Sequence, residues 1–146
     1  MKYIFLSKQF YTDYAHNLFP EIEYKENRPY LMLLITIDGL TYAIPFRSHI
    51  THGYSFFTDA ENKCGIDYTK AIIITNQLYV VDNINGIPIK IRPNEHKALF
   101  GKKYEIIKGL KKYIKEYKRA VKNNVNQKIS VFKYSTLQYF HKELNL

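Results

Sequence analysis

The pattern of apolar and polar positions predicts a sheet in the first two thirds of the chain and helices in the last third. Residues 2–10 alternate well enough for a first strand, and residues 12–18 fit a short helix that Pro20 ends. The segment 20–30 is polar and holds two prolines, which predicts a loop. Residues 31–37 are continuously apolar, the pattern of a strand buried on both faces. We expect this strand to be central.

An Asp38–Gly39 pair separates this strand from the next apolar run, residues 40–46. Asp-Gly accepts the positive φ angles of the tightest hairpins, so the two strands are predicted to pair antiparallel. Pro45 lies inside the second strand and has no backbone N–H to donate. We expect pairing to fail on one side there, which frees the backbone of residues 47–49 to face a cleft.

Further strands are predicted within a hairpin at 52–65 and at 68–75, 78–81, 87–91 and 128–134. From about Asn94 the apolar period changes from two to 3.6, which predicts helix. Ser135 is the predicted cap of a final helix over 137–144. At 146 residues the chain fits one domain, 1–146, that buries roughly two thirds of its unfolded surface.

The longest helical segment combines an apolar stripe with a high density of lysine. The predicted stripe is formed by Ile107, Leu110, Ile114, Tyr117 and Val121. Residues 102–122 hold nine cations and two anions, a local charge of +7 out of a formal net charge of +9. Like charges three or four residues apart repel each other in a helix. A polyanionic partner would account for them, and an ordinary solvated face is the alternative.

Composition narrows the class of protein. A single cysteine, Cys64, excludes an intramolecular disulfide and argues against a cysteine-based zinc site. The N-terminus lacks the apolar run of a signal peptide, and no segment is apolar enough to span a membrane. We therefore expect a cytoplasmic protein without membrane association. The 14 Tyr and 9 Phe can stack on unpaired bases, although most of them must be core.

In the segment TYAIPFRSHITH, residues 41–52, an apolar strand leads directly into four polar side chains: Arg47, Ser48, His49 and His52. RNA cleavage without a metal requires a base for the 2'-OH, an acid for the leaving 5'-oxygen and a group that binds the phosphate. The histidines are candidates for base and acid. Arg47 can clamp the phosphate, and Ser48 can donate to a non-bridging oxygen. A structural or surface role for the histidines is the alternative.

Other chemistries lack their sequence signals. The chain has no P-loop, no G-x-G-x-x-G and no G-x-S-x-G motif. Two histidines without Asp, Glu or Cys at ligand spacing make a weak zinc site, so we predict neither a metal nor a cofactor. A DNA-binding regulator is a further alternative, but the helix is uniformly lysine-rich instead of presenting a few Asn, Gln or Arg side chains that read bases.

The motifs of the first half of the chain resemble those of a known toxin family. In order they are NRPY, a buried strand, the Asp-Gly turn, TYAIPFRSHITH and GIDYTKAIII. This order resembles the toxins of type III toxin-antitoxin systems, the ToxN and AbiQ endoribonucleases and their TenpN relatives, with the TenpN branch most similar. The resemblance covers about residues 24–75. The helical remainder agrees only in kind.

The resemblance implies an α+β fold, with a strongly twisted antiparallel β-sheet related to the small barrel core of Kid and MazF toxins. Helices flank the sheet, and a long basic helix lies toward the C-terminus. The implied activity is metal-independent endoribonuclease cleavage that leaves 2',3'-cyclic phosphate and 5'-OH ends. The implied partner is a repeated RNA antitoxin that folds into pseudoknots and holds several toxin copies in a closed assembly. A non-catalytic RNA-binding module is the alternative function.

Ser48 matches the serine of the family's strand-end segment. His49 and Ile50 stand where ToxN-like members have Pro and Lys, so Arg47 is the candidate for the missing cation. His52 corresponds to a histidine a few residues beyond the serine, at a spacing that differs by one. We therefore predict a reactive site made of Arg47, Ser48, His49 and His52, in which the resemblance supports Ser48 and gives His49 no counterpart.

Three further residues match family positions near the RNA. Tyr24 and Arg28 match an aromatic and a basic residue before the central strand, and Lys70 matches a lysine of a later strand. The basic helix suits the RNA partner. The predicted RNA-binding residues are therefore Tyr24, Arg28, Lys70, Lys108, Lys111, Lys112, Lys115, Lys118 and Arg119.

Overall fold

The structure, a computed structural model that describes residues 1–25 and 29–146, is an α+β fold with an antiparallel sheet packed against helices. The strands are β1 (Lys2–Leu6), β2 (Met32–Ile37), β3 (Leu40–Arg47), β4 (Ser55–Asp59), β5 (Cys64–Asp67), β6 (Ile72–Ile73), β7 (Val80–Val81), β8 (Asn83–Ile84) and β9 (Ile87–Pro88). The α-helices are α1 (Lys8–Asp13), α2 (Pro93–Leu99), α3 (Lys103–Lys122) and α4 (Ser130–Lys133). Short 3-10 turns cover Tyr68–Lys70, Gln77–Tyr79, Asn126–Lys128 and Thr136–Tyr139. The predicted α+β class is confirmed.

The β2–β3 hairpin lies inside the sheet. The strands pair in the order β4-β5-β3-β2-β1-β7, β6 pairs with β3, and β8 and β9 form a separate two-stranded sheet. The hairpin closes at the pair Ile37 and Leu40, with φ of 51° at Asp38 and 81° at Gly39. These positive φ angles confirm the turn predicted from the Asp-Gly pair.

Pro45 marks the place where the outer partner of β3 changes. The Phe46 N–H donates to the Leu31 carbonyl at 3.0 Å, so the nitrogen of Pro45 faces the opposite edge of β3. On that edge β3 pairs with β6 before the proline and with β5 after it. The 3-10 turn Tyr68–Lys70 connects the two partner strands. The predicted interruption of pairing at Pro45 is confirmed, but the backbone of Arg47 is not free as predicted, because Arg47 pairs with Gly65 of β5.

The core lies between the sheet and α3. The buried residues of α3 are Ile106, Leu110, Tyr113, Tyr117 and Ala120. The predicted stripe was rotated by about one residue, because Ile107, Ile114 and Val121 are only half-buried. Tyr113 is fully buried, and its hydroxyl donates a hydrogen bond to the Val131 carbonyl at 2.6 Å. Because this bond removes the cost of burying the hydroxyl, α3 turns the face that carries Tyr113 toward the core.

Local hydrogen bonds override several predicted boundaries near the N-terminus. The first strand ends at Leu6, because the Ser7 side chain caps α1 by accepting the Phe10 N–H at 3.3 Å. Phe10 is fully buried from this helix. The helix predicted over residues 12–18 is therefore wrong, since α1 ends at Asp13.

A second set of differences concerns short apolar runs. Of the strand predicted over 68–75 only Ile72–Ile73 pairs, since the side chain of Asp67 caps a 3-10 turn before it. The strand predicted over 128–134 is wrong, because the backbone turns there into α4. Ser135 caps as predicted, but the segment it starts is the 3-10 turn Thr136–Tyr139, not a helix.

The strands predicted over 78–81 and 87–91 are each shortened to two residues, β7 and β9. The hairpin predicted within 52–65 is confirmed as β4 and β5. In the part of the chain that the structure describes, no helix combines the length and apolar character needed to cross a membrane.

We predict that Gly109→Ala destabilises the protein, although alanine favours helix by about 1 kcal/mol. An added Cβ would lie 2.6 Å from the Tyr68 hydroxyl oxygen. Tyr68 cannot give way easily, because it is buried and donates to the Ile106 carbonyl at 3.0 Å. Overpacking costs about 1–3 kcal/mol, so we expect a net loss of about 1 kcal/mol in the free energy of unfolding measured with urea.

Gly53→Ala is the matched control, since nothing lies within 4 Å of a Cβ at Gly53. Its free energy of unfolding should change by less than about 0.5 kcal/mol. A Gly109→Ala protein as stable as the wild type would contradict the close approach of α3 to Tyr68.

Candidate functional site

The fully buried carboxylate of Asp67, at the end of β5, joins three segments of the chain. Its Oδ1 accepts the Thr69 N–H at 2.9 Å and the Thr69 hydroxyl at 2.7 Å, and lies 3.2 Å from His52 Nε2. Its Oδ2 accepts Arg47 Nη1 at 2.6 Å. These four partners fill the acceptor capacity of a carboxylate.

The surroundings of Asp67 favour its ionised form. Burial alone would raise the pKa of this carboxyl group, but hydrogen bonds from His52, Thr69 and Arg47 outweigh burial and hold the pKa below its ordinary value. Asp67 is therefore a negative charge inside the protein.

Arg47, at the end of β3, lies between two carboxylates. Besides Asp67 on Nη1, its Nε lies 3.1 Å from Glu23 Oε1. Its side chain is 27% exposed. Within the described residues no group is bonded to Nη2, the third guanidinium nitrogen. Nη2 is thus the guanidinium nitrogen without a partner among the described residues, and two carboxylates offset the charge of Arg47.

Both ring nitrogens of His52 are engaged inside the protein. Nδ1 accepts the Tyr54 N–H at 3.1 Å, so in the neutral ring Nε2 carries the proton and donates to Asp67. Exchanging a proton with a substrate would require His52 to break one of these bonds. The geometry therefore suits a residue that positions the loop.

Ser48 and His49 are exposed at the surface just beyond β3. His49 Nδ1 lies 3.0 Å from Ser48 Oγ. His49 has a φ of 57°, an uncommon left-handed conformation for a side chain of this size. The next residue, Ile50, is buried and donates its N–H to the Lys63 carbonyl at 3.1 Å. The buried Ile50 thus fixes the chain on one side of an exposed hydroxyl–imidazole pair.

Lys70 anchors the segment that carries Glu23. Its Nζ donates to the Glu21 carbonyl at 3.1 Å and to the Tyr134 carbonyl at 2.9 Å. Burial lowers the pKa of this lysine, and the negative charge of Glu23 offsets only part of that decrease. The Tyr139 hydroxyl also donates to the Glu21 carboxylate. The ammonium group of Lys70 thus already binds two carbonyls. Its predicted contact with RNA stays a prediction.

Tyr24 belongs to a small aromatic cluster beside Glu23. Its ring centroid lies 5.4 Å from that of Tyr11 and 5.5 Å from that of His16. Tyr24 is 40% exposed, so part of its ring is open to a ligand. Burial, helped by the nearby Tyr30, Tyr24 and Glu23, raises the pKa of Tyr11 to about 12. Arg28, the other residue predicted here, lies outside the described residues.

The basic helix reaches the site through one hydrogen bond. Tyr54, which binds His52 through its N–H, donates its hydroxyl to Glu116 of α3 at 2.5 Å. Beside this contact a cleft of about 410 Å³ lies between α3 and β4, with Lys112 on its wall. Of the helix cations predicted to bind RNA, Lys118 is half-buried, and the others are exposed to solvent: Lys108, Lys111, Lys112, Lys115 and Arg119.

The structure brings Arg47 and His52 together through Asp67 and pairs Ser48 with His49. Sequence reasoning missed Asp67 and Glu23. The motif Asp67-x-Thr69 was the available signal, because an Asp two residues before a Thr commonly accepts that residue's N–H. Glu23 had none, since its contact with Arg47 is purely tertiary. In the ranges 1–25 and 29–146 no group of three His, Cys, Asp or Glu side chains could hold a metal ion.

We predict that Asp67→Asn destabilises the protein strongly. The substitution keeps the shape and an acceptor oxygen but removes the charge opposite Arg47. Breaking a buried ion pair costs roughly 3–5 kcal/mol, and we expect about 3 kcal/mol in urea unfolding at neutral pH. The control is Asp38→Asn in the exposed hairpin turn, where asparagine also accepts positive φ. A loss no larger than that of the control would contradict the network.

The stability of the wild type should also depend on pH through Asp67. Its pKa is lowered in the folded protein, so its contribution is complete above the unfolded value of about 3.9 and is lost as the pH falls toward the folded value. The difference in free energy of unfolding between wild type and Asp67→Asn should therefore shrink below about pH 4. Urea titrations from neutral to acid pH measure it. A constant difference would show that Asp67 is not held ionised.

Comparisons of this chain with protein-family models, with curated proteins and with solved structures give no match. The short motifs alone carry the resemblance to type III toxins.

Proposed function

We propose that the protein is a metal-independent endoribonuclease, the toxin of a type III toxin-antitoxin system, that cleaves RNA to 2',3'-cyclic phosphate and 5'-OH ends. The observation that carries the proposal is the exposed Ser48–His49 pair, with Ser48 Oγ and His49 Nδ1 3.0 Å apart, directly after Arg47 in the sequence at the end of β3. These groups supply a hydroxyl donor, a proton carrier and a cation within three consecutive residues.

Each residue has a role that fits its contacts. His49, with an exposed ring, exchanges protons with the RNA, and the Ser48 hydroxyl donates to a non-bridging phosphate oxygen. Arg47 offers Nη2 to the phosphate while Glu23 and Asp67 fix its orientation. His52 positions the loop, because both its nitrogens are bonded within the protein.

The charge distribution supports an RNA partner. The carboxylates of Glu21, Glu23 and Asp67 offset the charges of Arg47 and Lys70, so the site itself has no excess of positive charge. The positive field comes from α3, whose exposed lysines lie on the faces away from the core. In the proposed cytoplasmic complex this face receives substrate RNA or the repeated pseudoknot antitoxin, and several toxins and RNA repeats form a closed assembly.

We extend the proposal to the sheet, as a strongly twisted relative of the small Kid and MazF barrel. The support is the double pairing of β3, with β2 along one edge and with β5 and β6 along the other. Strands that change partners at a bend form the corners of folded sheets.

A non-catalytic RNA-binding module is the second candidate. The observation that favours it is that Asp67 holds both Arg47 and His52, so two of the four predicted catalytic residues are engaged within the protein. In this case the lysines of α3 and Tyr24 would bind RNA, and the Ser48–His49 pair would have no chemical role.

We predict that purified protein cuts RNA in the presence of EDTA and that His49→Asn slows cleavage at least about 100-fold, the usual contribution of a general acid or base. Asparagine accepts the φ of 57° at this position, so the fold should persist. The measurements are the cleavage rate, the chemistry of the RNA ends by mass spectrometry and the thermal midpoint. Thr51→Ala, an exposed change in the same loop, is the control and should cut normally.

Intact RNA after incubation with wild-type protein would overturn the enzyme and favour the binding module. Cleavage by His49→Asn at the wild-type rate, with unchanged ends, would exclude His49 as the proton carrier.

A further inference from the structure

Two aromatic rings project into solvent at the corner between α2 and α3. Phe100 is 75% exposed and Tyr104 is 76% exposed, higher values than those of the other exposed large hydrophobic side chains in the described residues. Tyr104 follows Phe100 by four residues in the sequence. The turn between α2 and α3 contains Gly101, which has a φ of 72°. The helix α2 ends at the fully buried Leu99, so the turn that buries Leu99 exposes Phe100.

The charge around this corner is strongly positive. Residues 97–112 contain six lysines, Lys97, Lys102, Lys103, Lys108, Lys111 and Lys112, and a single carboxylate. That carboxylate, Glu105, lies 3.5 Å from Lys102, and both side chains are about half exposed, so the pair is weak. The other five lysines form no ion pair within the described residues.

Neither ring has a structural function that explains its position. The nearest ring to Phe100 is that of His96, at 6.1 Å, and Tyr104 contacts no other ring in the ranges 1–25 and 29–146. Each exposed ring keeps an unfavourable contact with water. Exposed aromatic faces among cations are the features by which proteins bind single-stranded nucleic acid, with lysines on the phosphates and rings on the bases.

We propose that Phe100 and Tyr104 form a stacking platform for unpaired bases of single-stranded RNA, an inference that rests on RNA being the partner of this protein. The lysines beside the rings bind the flanking phosphates. The platform binds any base, because every base has a π-face. It binds a part of the substrate RNA that does not contact the Ser48–His49 pair.

The platform and the candidate site are connected by α3. From Tyr104 to Glu116, which binds Tyr54 of the loop, the helix advances twelve residues, or about 18 Å. RNA stacked at about 3.4 Å per nucleotide covers this distance in about five nucleotides. Lys108, Lys111, Lys112 and Lys115 lie along this stretch. A strand on the platform can therefore extend along α3 toward the loop.

The wild-type chain has no tryptophan, which makes a direct test possible. Phe100→Trp and Tyr104→Trp each give a single-tryptophan protein, and Leu78→Trp, at a 72% exposed site with no charged neighbour within two residues, is the control. The probe is a 2'-O-methyl RNA of about ten nucleotides, long enough for the distance above, which cannot be cut by 2'-OH attack. An abasic strand of equal length has the same phosphates without bases.

We expect the 2'-O-methyl RNA to quench both platform tryptophans, the abasic strand to quench neither, and the control at position 78 to respond to neither. The double variant Phe100→Ala, Tyr104→Ala should bind the 2'-O-methyl RNA at least about tenfold more weakly, since stacking contributes that much per base. Its affinity for the abasic strand should not change.

Equal quenching of the platform and control tryptophans, or wild-type affinity in the double variant, would overturn the platform. These results leave the proposed function standing if the wild type still cuts RNA. If the rings bind RNA as described but the wild type does not cut, the enzyme is wrong and the platform stands. If the wild type does not bind the 2'-O-methyl RNA, the platform is wrong.

Discussion

The buried charge of Asp67 is the interaction on which the candidate site depends. An ionised carboxylate removed from water costs several kcal/mol unless its partners compensate for the lost hydration. Here a backbone amide, a hydroxyl, an imidazole and a guanidinium group compensate, and they come from three segments of the chain. The end of β3, the loop after it and the turn after β5 are thereby fixed relative to one another. Pro45 contributes by opening the edge of β3 where this turn fits.

This network separates fixed groups from available ones. Arg47 and His52 are bonded to Asp67, whereas Ser48 and His49 point outward from a chain fixed on both sides. Three carboxylates, Glu21, Glu23 and Asp67, offset the two cations Arg47 and Lys70, so the attraction of RNA depends on α3. Gly109 lets α3 approach Tyr68 closely, and Tyr54 joins α3 to the loop. Packing of the basic helix and geometry of the site are thus coupled.

Features governed by local chemistry could be predicted from the sequence. The Asp38–Gly39 hairpin, the interruption at Pro45 and the cap at Ser135 each follow from one or two residues, and the 20-residue helix α3 follows from the period of its apolar positions. Tertiary contacts decided the rest. Phe10 packs into the core from a helix that begins at Lys8, earlier than predicted, and Tyr113 displaces part of the predicted aliphatic stripe because its hydroxyl donates to the Val131 carbonyl.

The same limit applies to the site. The polar residues of segment 41–52 were visible in the sequence, but the contact of Arg47 with Glu23 crosses 24 residues and has no sequence signal. The roles of His49 and His52 could not be distinguished either, because they differ only in burial and bonding.

The central claim is that Asp67 and the Tyr54 backbone fix His52, leaving Ser48 and His49 as the available pair. The most direct measurement is a long-range ¹H–¹⁵N NMR spectrum of the histidine rings, assigned by substitution. The structure predicts that neutral His52 is the tautomer with its proton on Nε2, because Nδ1 accepts the Tyr54 N–H. A proton on Nδ1 of His52, or a mixture of both tautomers, would contradict the account.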